Sequence, residues 1–187
     1  MRRSICGILV LALMTLAGCE SLPVAQKPQQ ADMSVNHGYA LLYDTVSQVS
    51  QVDKILYLKK ADKPVSELLE EIAQLTKQAK TKLDTFVKED AALGYDKDGL
   101  PVAEVASREA ISSATTKTIL FSSGKTFEFN ILLSQHQALN YIIYMSQTLA
   151  KQDSNDSRKT YLKQLSKDAE PLNQRVLALL REAYVNS

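Results

Sequence analysis

Cysteine is nearly missing from this chain: two occur in 187 residues, Cys6 and Cys19. From Glu20 onward there is no thiol. That excludes an internal disulfide, a thiolate nucleophile, a cysteine-ligated zinc and a Cys-x-x-Cys redox pair in that part. Its fold must hold by apolar burial alone. Histidine is equally scarce, with only His37 and His136. Charge of one sign is lacking too, since 22 basic residues stand against 21 acidic ones. A near-neutral chain exerts no long-range pull on nucleic acid or anionic lipid, so no nucleic-acid partner is expected. No Gly-x-Ser-x-Gly elbow, phosphate loop or His-Glu-x-x-His run occurs. Ser122-Ser123-Gly124 reads as a helix interruption rather than a nucleophile elbow.

The start of the chain is different in kind. Arg2 and Arg3 precede an apolar run from Ile5 to Leu16, broken only by Cys6, Gly7 and Thr15. The run is too short to span a bilayer, which takes roughly 20 residues. A basic start before a short apolar stretch is an export signal. It ends in Leu16-Ala17-Gly18-Cys19, which resembles the lipobox of bacterial lipoproteins. The resemblance implies cleavage before Cys19 and lipid on its thiol. Burying each CH₂ group contributes about 0.8 kcal/mol, so several acyl chains anchor stably where one does not. Loss of Arg2 and Arg3 with residues 1–18 turns the net charge from one positive to one negative. Glu20 stands where an Asp favours inner-membrane retention in enteric bacteria, so the resemblance leans toward the outer membrane, facing the periplasm. No second long apolar run follows, and lipid on Cys19 is the one membrane attachment expected.

Ser21 to Asn36 holds Pro23, Pro28, three glutamines and few large apolar residues. Such a segment buries too little surface to order itself, so residues 19–36 read as a lipidated flexible tether. A coil of that length spans about 20–25 Å. Residues 37–187 then form one domain of about 150 residues, enough for a core.

Within that domain the apolar residues recur at helical spacing. One stripe is Leu42, Val46, Val49, Val52 and Leu56. Asp62-Lys63-Pro64 stops that helix and opens the next, with Asp62 placed to cap free amides. The most regular stripe follows: Val65, Leu68, Leu69, Ile72, Leu75, Ala79, Leu83, Phe86 and Val87. Gly94 to Pro101 is a break. Ser107 to Thr118 is rich in Ser, Thr and Ala, with a weak stripe at Val105, Ile111, Thr115 and Ile119. That pattern fits either a seam for another protein or a polar helix. A strong stripe resumes at Phe127, Ile131, Leu132, Ala138, Leu139, Ile142, Ile143 and Leu149. The last comprises Tyr161, Leu165, Ala169, Leu172, Val176, Leu179, Leu180 and Ala183, where Pro171 should kink or restart the helix. No segment alternates with period two. The fold predicted is all-α: an antiparallel four-helix bundle of four to five helices.

Sparse landmarks run from Val52 to Leu180: Pro64-Val65, Leu83, Gly99-Leu100-Pro101, Ser123 to Phe127 nine residues before His136, and Pro171. On these the stretch resembles a family of secreted bacterial proteins of unknown function with a ferritin-like four-helix fold. The family often carries three histidines. This chain keeps one, His136, with Thr76 or Lys77 and Arg175 or Val176 at the other places. The resemblance therefore implies fold and compartment rather than a shared ligand site.

Candidate chemistry is thin. A ferritin-like di-metal site needs Glu-x-x-His pairs, which put both ligands on one helix face. Leu133 and Ser34 stand three residues before the two histidines, and Glu67, Glu70 and Glu71 read as solvated. Asp96-Lys97-Asp98-Gly99 resembles the start of a calcium loop, but Pro101 and Ser107 fall where glycine and the closing glutamate belong. No metal or cofactor is expected. His136 shares a face with Leu132, Leu139 and Ile143. It reads as a half-buried histidine bonded to a neighbour, or else as a ligand contact with Tyr141 or Tyr144 nearby. His37, at the tether boundary, reads as exposed. The sequence thus predicts a non-enzymatic envelope module that meets a protein or cell-wall partner. The alternative is a bundle that binds a metal or small molecule around His136.

Overall fold

The computed structural model describes residues 29–184 except 92, 96 and 98. The export signal, the lipobox with Cys19, most of the expected tether, and Asp96 and Asp98 of the calcium-like turn lie outside the described residues. Five α-helices and one 3₁₀ helix make up the rest: α1 Gln29–Val49, the 3₁₀ helix Val52–Tyr57, α2 Lys63–Glu89, α3 Val102–Phe121, α4 Gly124–Gln152 and α5 Asp156–Tyr184. No strand occurs among the described residues. Helix α1 begins inside the segment read as tether. Its residues 29–36 are helical, and Val35 packs against the core.

Helices α1, α2, α5 and α4 form a closed ring, each packed on its two neighbours. Hydrogen bonds join the middle of α1 to the end of α4 (Tyr39 to Asp153) and the start of α5 to the end of α2 (Arg158 to Asp90), while the far end of α1 lies by the first half of α4. Neighbours in the ring are therefore antiparallel. Helices α2 and α4 are diagonal, and α3 spans the long connection between them, lying outside the ring against α4.

The stripes explain the packing. Val65, Leu68, Leu69, Ile72, Ala79, Leu83 and Phe86 of α2 are all buried, as are Leu42, Val46 and Val49 of α1. Phe127, Ile131, Leu132, Leu139, Ile142, Ile143 and Leu149 supply α4's share, and Leu165, Ala169, Leu172 and Val176 that of α5. Each such side chain contributes about 1.5–3 kcal/mol when removed from water. Gly38 lets α1 approach α4 closely: a Cβ there would come within 2.7 Å of Leu149 Cδ2. The break before α4 is also where expected, with Gly124 at φ 55°.

Three local expectations change. The first helix does not run to Asp62: α1 ends at Val49, and Val52 and Leu56 of its stripe lie on the separate 3₁₀ helix, where they still pack on the core. Asp62 begins α2 but makes no side-chain cap. Lys125 Nζ donates to its carboxylate at 2.6 Å, and the Asp62 amide donates to Glu128 Oε1 at 2.6 Å. The ion pair holds the carboxylate away from the helix end. Pro171 does not restart α5, which runs on from Asp156 to Tyr184. The proline ring is exposed, and Ala169, Leu172 and Val176 keep both flanking turns packed on the core. That packing offsets the missing backbone donor.

Candidate functional site

His136 lies between α4 and α5, half-buried, in a closed side-chain triangle. Its Nδ1 stands 2.7 Å from Asn173 Oδ1, and Asn140 Nδ2 stands 3.1 Å from its Nε2. Asn173 Nδ2 closes the triangle on Asn140 Oδ1 at 2.9 Å. Since the amide nitrogen of Asn140 donates, Nε2 accepts, and Nδ1 carries the proton it gives to Asn173. Both ring nitrogens are spent, and neither offers a lone pair to a metal. The positions that the resemblance sets beside His136, Thr76 or Lys77 and Arg175 or Val176, are taken up by packing, hydrogen bonds and ion pairs: Lys77 pairs with Asp53 and Val176 is buried in the core. Thr76 is fully buried and donates its hydroxyl to the Ile72 carbonyl at 2.7 Å. Arg175 reaches across to a bidentate pair with Glu71. That pair is the first cause of a lowered Glu71 carboxyl pKa. Among the described residues no group of three or more His, Cys, Asp or Glu gathers at metal-binding range.

Tyr141 and Tyr144 do not join His136. Tyr144 is 64 % exposed. Tyr141 points to another side of α4, where its hydroxyl accepts from Arg108 Nη2 at 2.8 Å and its ring lies 4.6 Å from the guanidinium carbon. His37 is half-buried rather than exposed, because Gly99, at φ 87°, lets the turn pass beneath its ring. A Cβ on Gly99 would come within 2.9 Å of His37 Nε2.

A polar cluster sits where the ends of α2 and α4 and the start of α5 meet the middle of α1. Arg158 donates to both oxygens of Asp153 (2.7 and 2.8 Å) and to Asp90 at 2.6 Å, while Tyr39 donates to Asp153 at 2.5 Å. Burial pushes the Asp153 carboxyl upward, but Arg158, Tyr39 and the Asn155 amide outweigh it and hold its pKa below the usual value. Burial first, then the bond to Asp153, raises the Tyr39 phenol. This cluster joins three helix ends and the Asp153 turn, and its charges are used on one another. A fully satisfied buried pair is a structural device, costly to break.

A roomy space among the described residues lies under α3. The Ser- and Thr-rich face of that helix is too short-limbed to fill the groove between α1 and α4. A cavity of about 720 Å³ remains, within the range of about 300–1,000 Å³ typical of small-molecule sites. Its walls grade from polar to apolar. Toward the start of α3 stand Asp44, Gln48, Glu104, Arg108, Ser112 and Tyr141. Toward its end stand Val52, Ile55, Leu58, Ile119, Leu120 and Ile131, with Gln51 and Lys54 at the solvent edge. Two ion pairs flank the polar mouth: Arg108 to Glu104 at 2.7 Å, and Lys97 to Asp44 at 3.1 Å. A smaller space of about 270 Å³ adjoins it, sharing Asp44, Gln48, Arg108 and Ser112. Midway along the wall, Gln135 is only 6 % exposed, and its Oε1 has no hydrogen-bond partner. An unpaired buried acceptor costs about 1–3 kcal/mol. Ser112, Arg108, Gln48 and Gln135 were not candidates from sequence. The one signal was the run of small polar residues from Ser107 to Thr118.

These features define an all-helical, ferritin-like bundle with a groove under its crossing helix. The fold is shared with a crystal structure described as a "putative secreted protein DUF305" from Streptomyces coelicolor. The two agree with a TM-score of 0.64 over 82% of this chain and 93% of that one, at 16% sequence identity. The sequence matches no family model and no curated protein.

Proposed function

We propose that this chain is a lipid-anchored envelope protein that works by binding, with the cavity between α1, α3 and α4 as its binding site. The cavity carries the reading: it has a volume suited to a ligand, an apolar floor and a polar mouth. Arg108 pairs with Glu104 and Asp44 with Lys97, Lys54 lines the far end as an exposed cation, and none of these is set up as a nucleophile or general base, so the protein is no enzyme on this reading. His136 has no part in it. An envelope partner, protein or cell wall, would meet the solvent-facing surface of α3, where Val102 and Phe121 are exposed apolar side chains.

The anchor and compartment rest on the lipobox-like Leu16-Ala17-Gly18-Cys19 and on Glu20 after it. Two observations fit them. The structural neighbour is described as secreted, and no described helix is long and apolar enough to cross a membrane. Metabolic labelling with radioactive palmitate tests the anchor. Wild type should take up label and sediment with outer membranes, while Cys19→Ser should lose the label. Equal labelling of the two would sink the anchor. Native mass spectrometry tests the site. The protein taken from its own envelope should carry a small molecule that a Thr115→Trp variant, with the cavity filled, does not.

A further inference from the structure

Building on that reading of the cavity, we propose its ligand class: a single-chain amphiphile with a zwitterionic head, of the lysophospholipid kind. Three features of the walls lead there. The first is length. From Arg108 to Leu120 the cavity follows α3 for twelve residues, about 18 Å at 1.5 Å per residue. One acyl chain spans one leaflet, about 15 Å of a hydrocarbon core of roughly 30 Å. The apolar end, about 12 Å from Ser112 to Leu120, takes most of such a chain, the rest of it running out over the exposed Leu58, and a volume of about 720 Å³ leaves room for a head.

The second is charge at the mouth. Arg108 with Glu104 and Lys97 with Asp44 set two cations beside two carboxylates. A purely anionic head would meet Asp44 and Glu104, and a purely cationic one would meet Lys97 and Arg108. A head carrying both signs finds a partner for each. The third is Gln135, between the polar and apolar ends. Its Nε2 donates to Ser134 Oγ at 3.1 Å, while Oε1 is buried and unpartnered. A small turn of that amide presents Oε1 to a hydroxyl at the junction of head and chain. Exposed apolar side chains continue the floor outward: Leu58 is 73 % exposed, with Tyr57 at 87 % and Phe121 at 88 %. Lys59 Nζ holds this rim together by donating to the Ser122 carbonyl at 3.0 Å.

The test uses the chain from Glu20 onward, exported on an ordinary secretory signal; every core residue of the bundle lies after Gln29. The probes are palmitoyl lysophosphatidylethanolamine, palmitate and hexadecyltrimethylammonium, each below its micelle concentration and titrated calorimetrically. The lysophospholipid should bind one per chain, and about tenfold more tightly than either singly charged probe. Thr115→Trp and Ala138→Phe, which fill the cavity from opposite walls, should each weaken it by about tenfold or more. Far-UV circular dichroism checks that both variants are folded, and His136→Ala should bind like wild type. Tighter binding of palmitate or of the cation overturns the zwitterionic assignment. Unchanged lysophospholipid binding in both folded cavity variants overturns the site. If no amphiphile binds but the envelope-derived protein still carries another small molecule lost in Thr115→Trp, the ligand class fails while the binding reading stands. If neither is seen, both fall.

Discussion

Helices α2 and α3 follow one another in the chain and meet very different fates. Nine of α2's 27 residues are buried. One of α3's 20 is, Ile119. Both are helical, so helix formation and core membership are separate matters. In α2 the large apolar residues return every three to four positions and form a stripe wide enough to be covered by α1 and α5. In α3 that stripe is thin, and Ser107, Ser112 and Thr115 stand where larger side chains would close the gap. The same poverty that leaves α3 loosely held leaves the cavity beneath it. Packing strength and available space are distributed in opposition across the molecule.

Substitutions can break this contrast. The largest effect should come from the closed ring. Asp153→Ala leaves Arg158 buried without its bidentate partner and Tyr39 without an acceptor. A loss of about 3–5 kcal/mol is expected, read from urea denaturation. The same carboxylate gives the ring its acid sensitivity. Its folded pKa is lowered, so its contribution is complete above the unfolded value of about 3.9 and is lost as pH falls through the lower folded value. Asp153→Asn should therefore flatten the stability profile below about pH 4 relative to wild type.

Leu139→Ala comes next. This fully buried side chain of α4 should cost about 2–5 kcal/mol in the same assay. His136→Ala should cost about 1–3 kcal/mol, because Asn173 and Asn140 each lose a partner between α4 and α5. Ile111→Ala should change stability by no more than about 0.5 kcal/mol, since that residue is 64 % exposed on α3. If Ile111→Ala cost as much as Leu139→Ala, α3 would be part of the core and the contrast would collapse. Hydrogen exchange sharpens it: amides of α3 should exchange well before those of α2.

Reading the sequence located helices well wherever the stripe was strong. The α2 positions from Val65 to Phe86 are buried as their spacing required, with Leu75 and Val87 half-buried at the edge. It erred where one residue's habit was weighed without its neighbours. Asp62 was given a cap, but Lys125, distant in sequence, competes for its carboxylate. Pro171 predicts a kink or a restart, and of these the restart does not occur, because packing on either side holds α5 together. Tyr39, fully buried, extends the Leu42, Val46 and Val49 stripe by one turn, and its hydroxyl is tolerated there only because Asp153, distant in sequence, accepts from it.

The candidate site was legible only in outline. His136 was singled out because histidine is rare here, and rarity says nothing about partners. Its two asparagines come from α4 and α5 and meet only when those helices pack. Tyr141 was placed near His136 because the two are close in sequence. Five residues along a helix turn it to another side of α4, toward Arg108.

The scarcity of cysteine and histidine by itself determined what chemistry the domain after Glu20 lacks, and the apolar periodicity determined that it is a helical bundle. Both are properties of residue type and spacing, which the chain carries wherever it goes. Only the tertiary structure decided that the ring closes through α1, α2, α5 and α4, leaving α3 outside. A cavity is an absence of atoms between elements. It depends on how far apart packed helices stand and how short the side chains between them are, and no single segment encodes that distance.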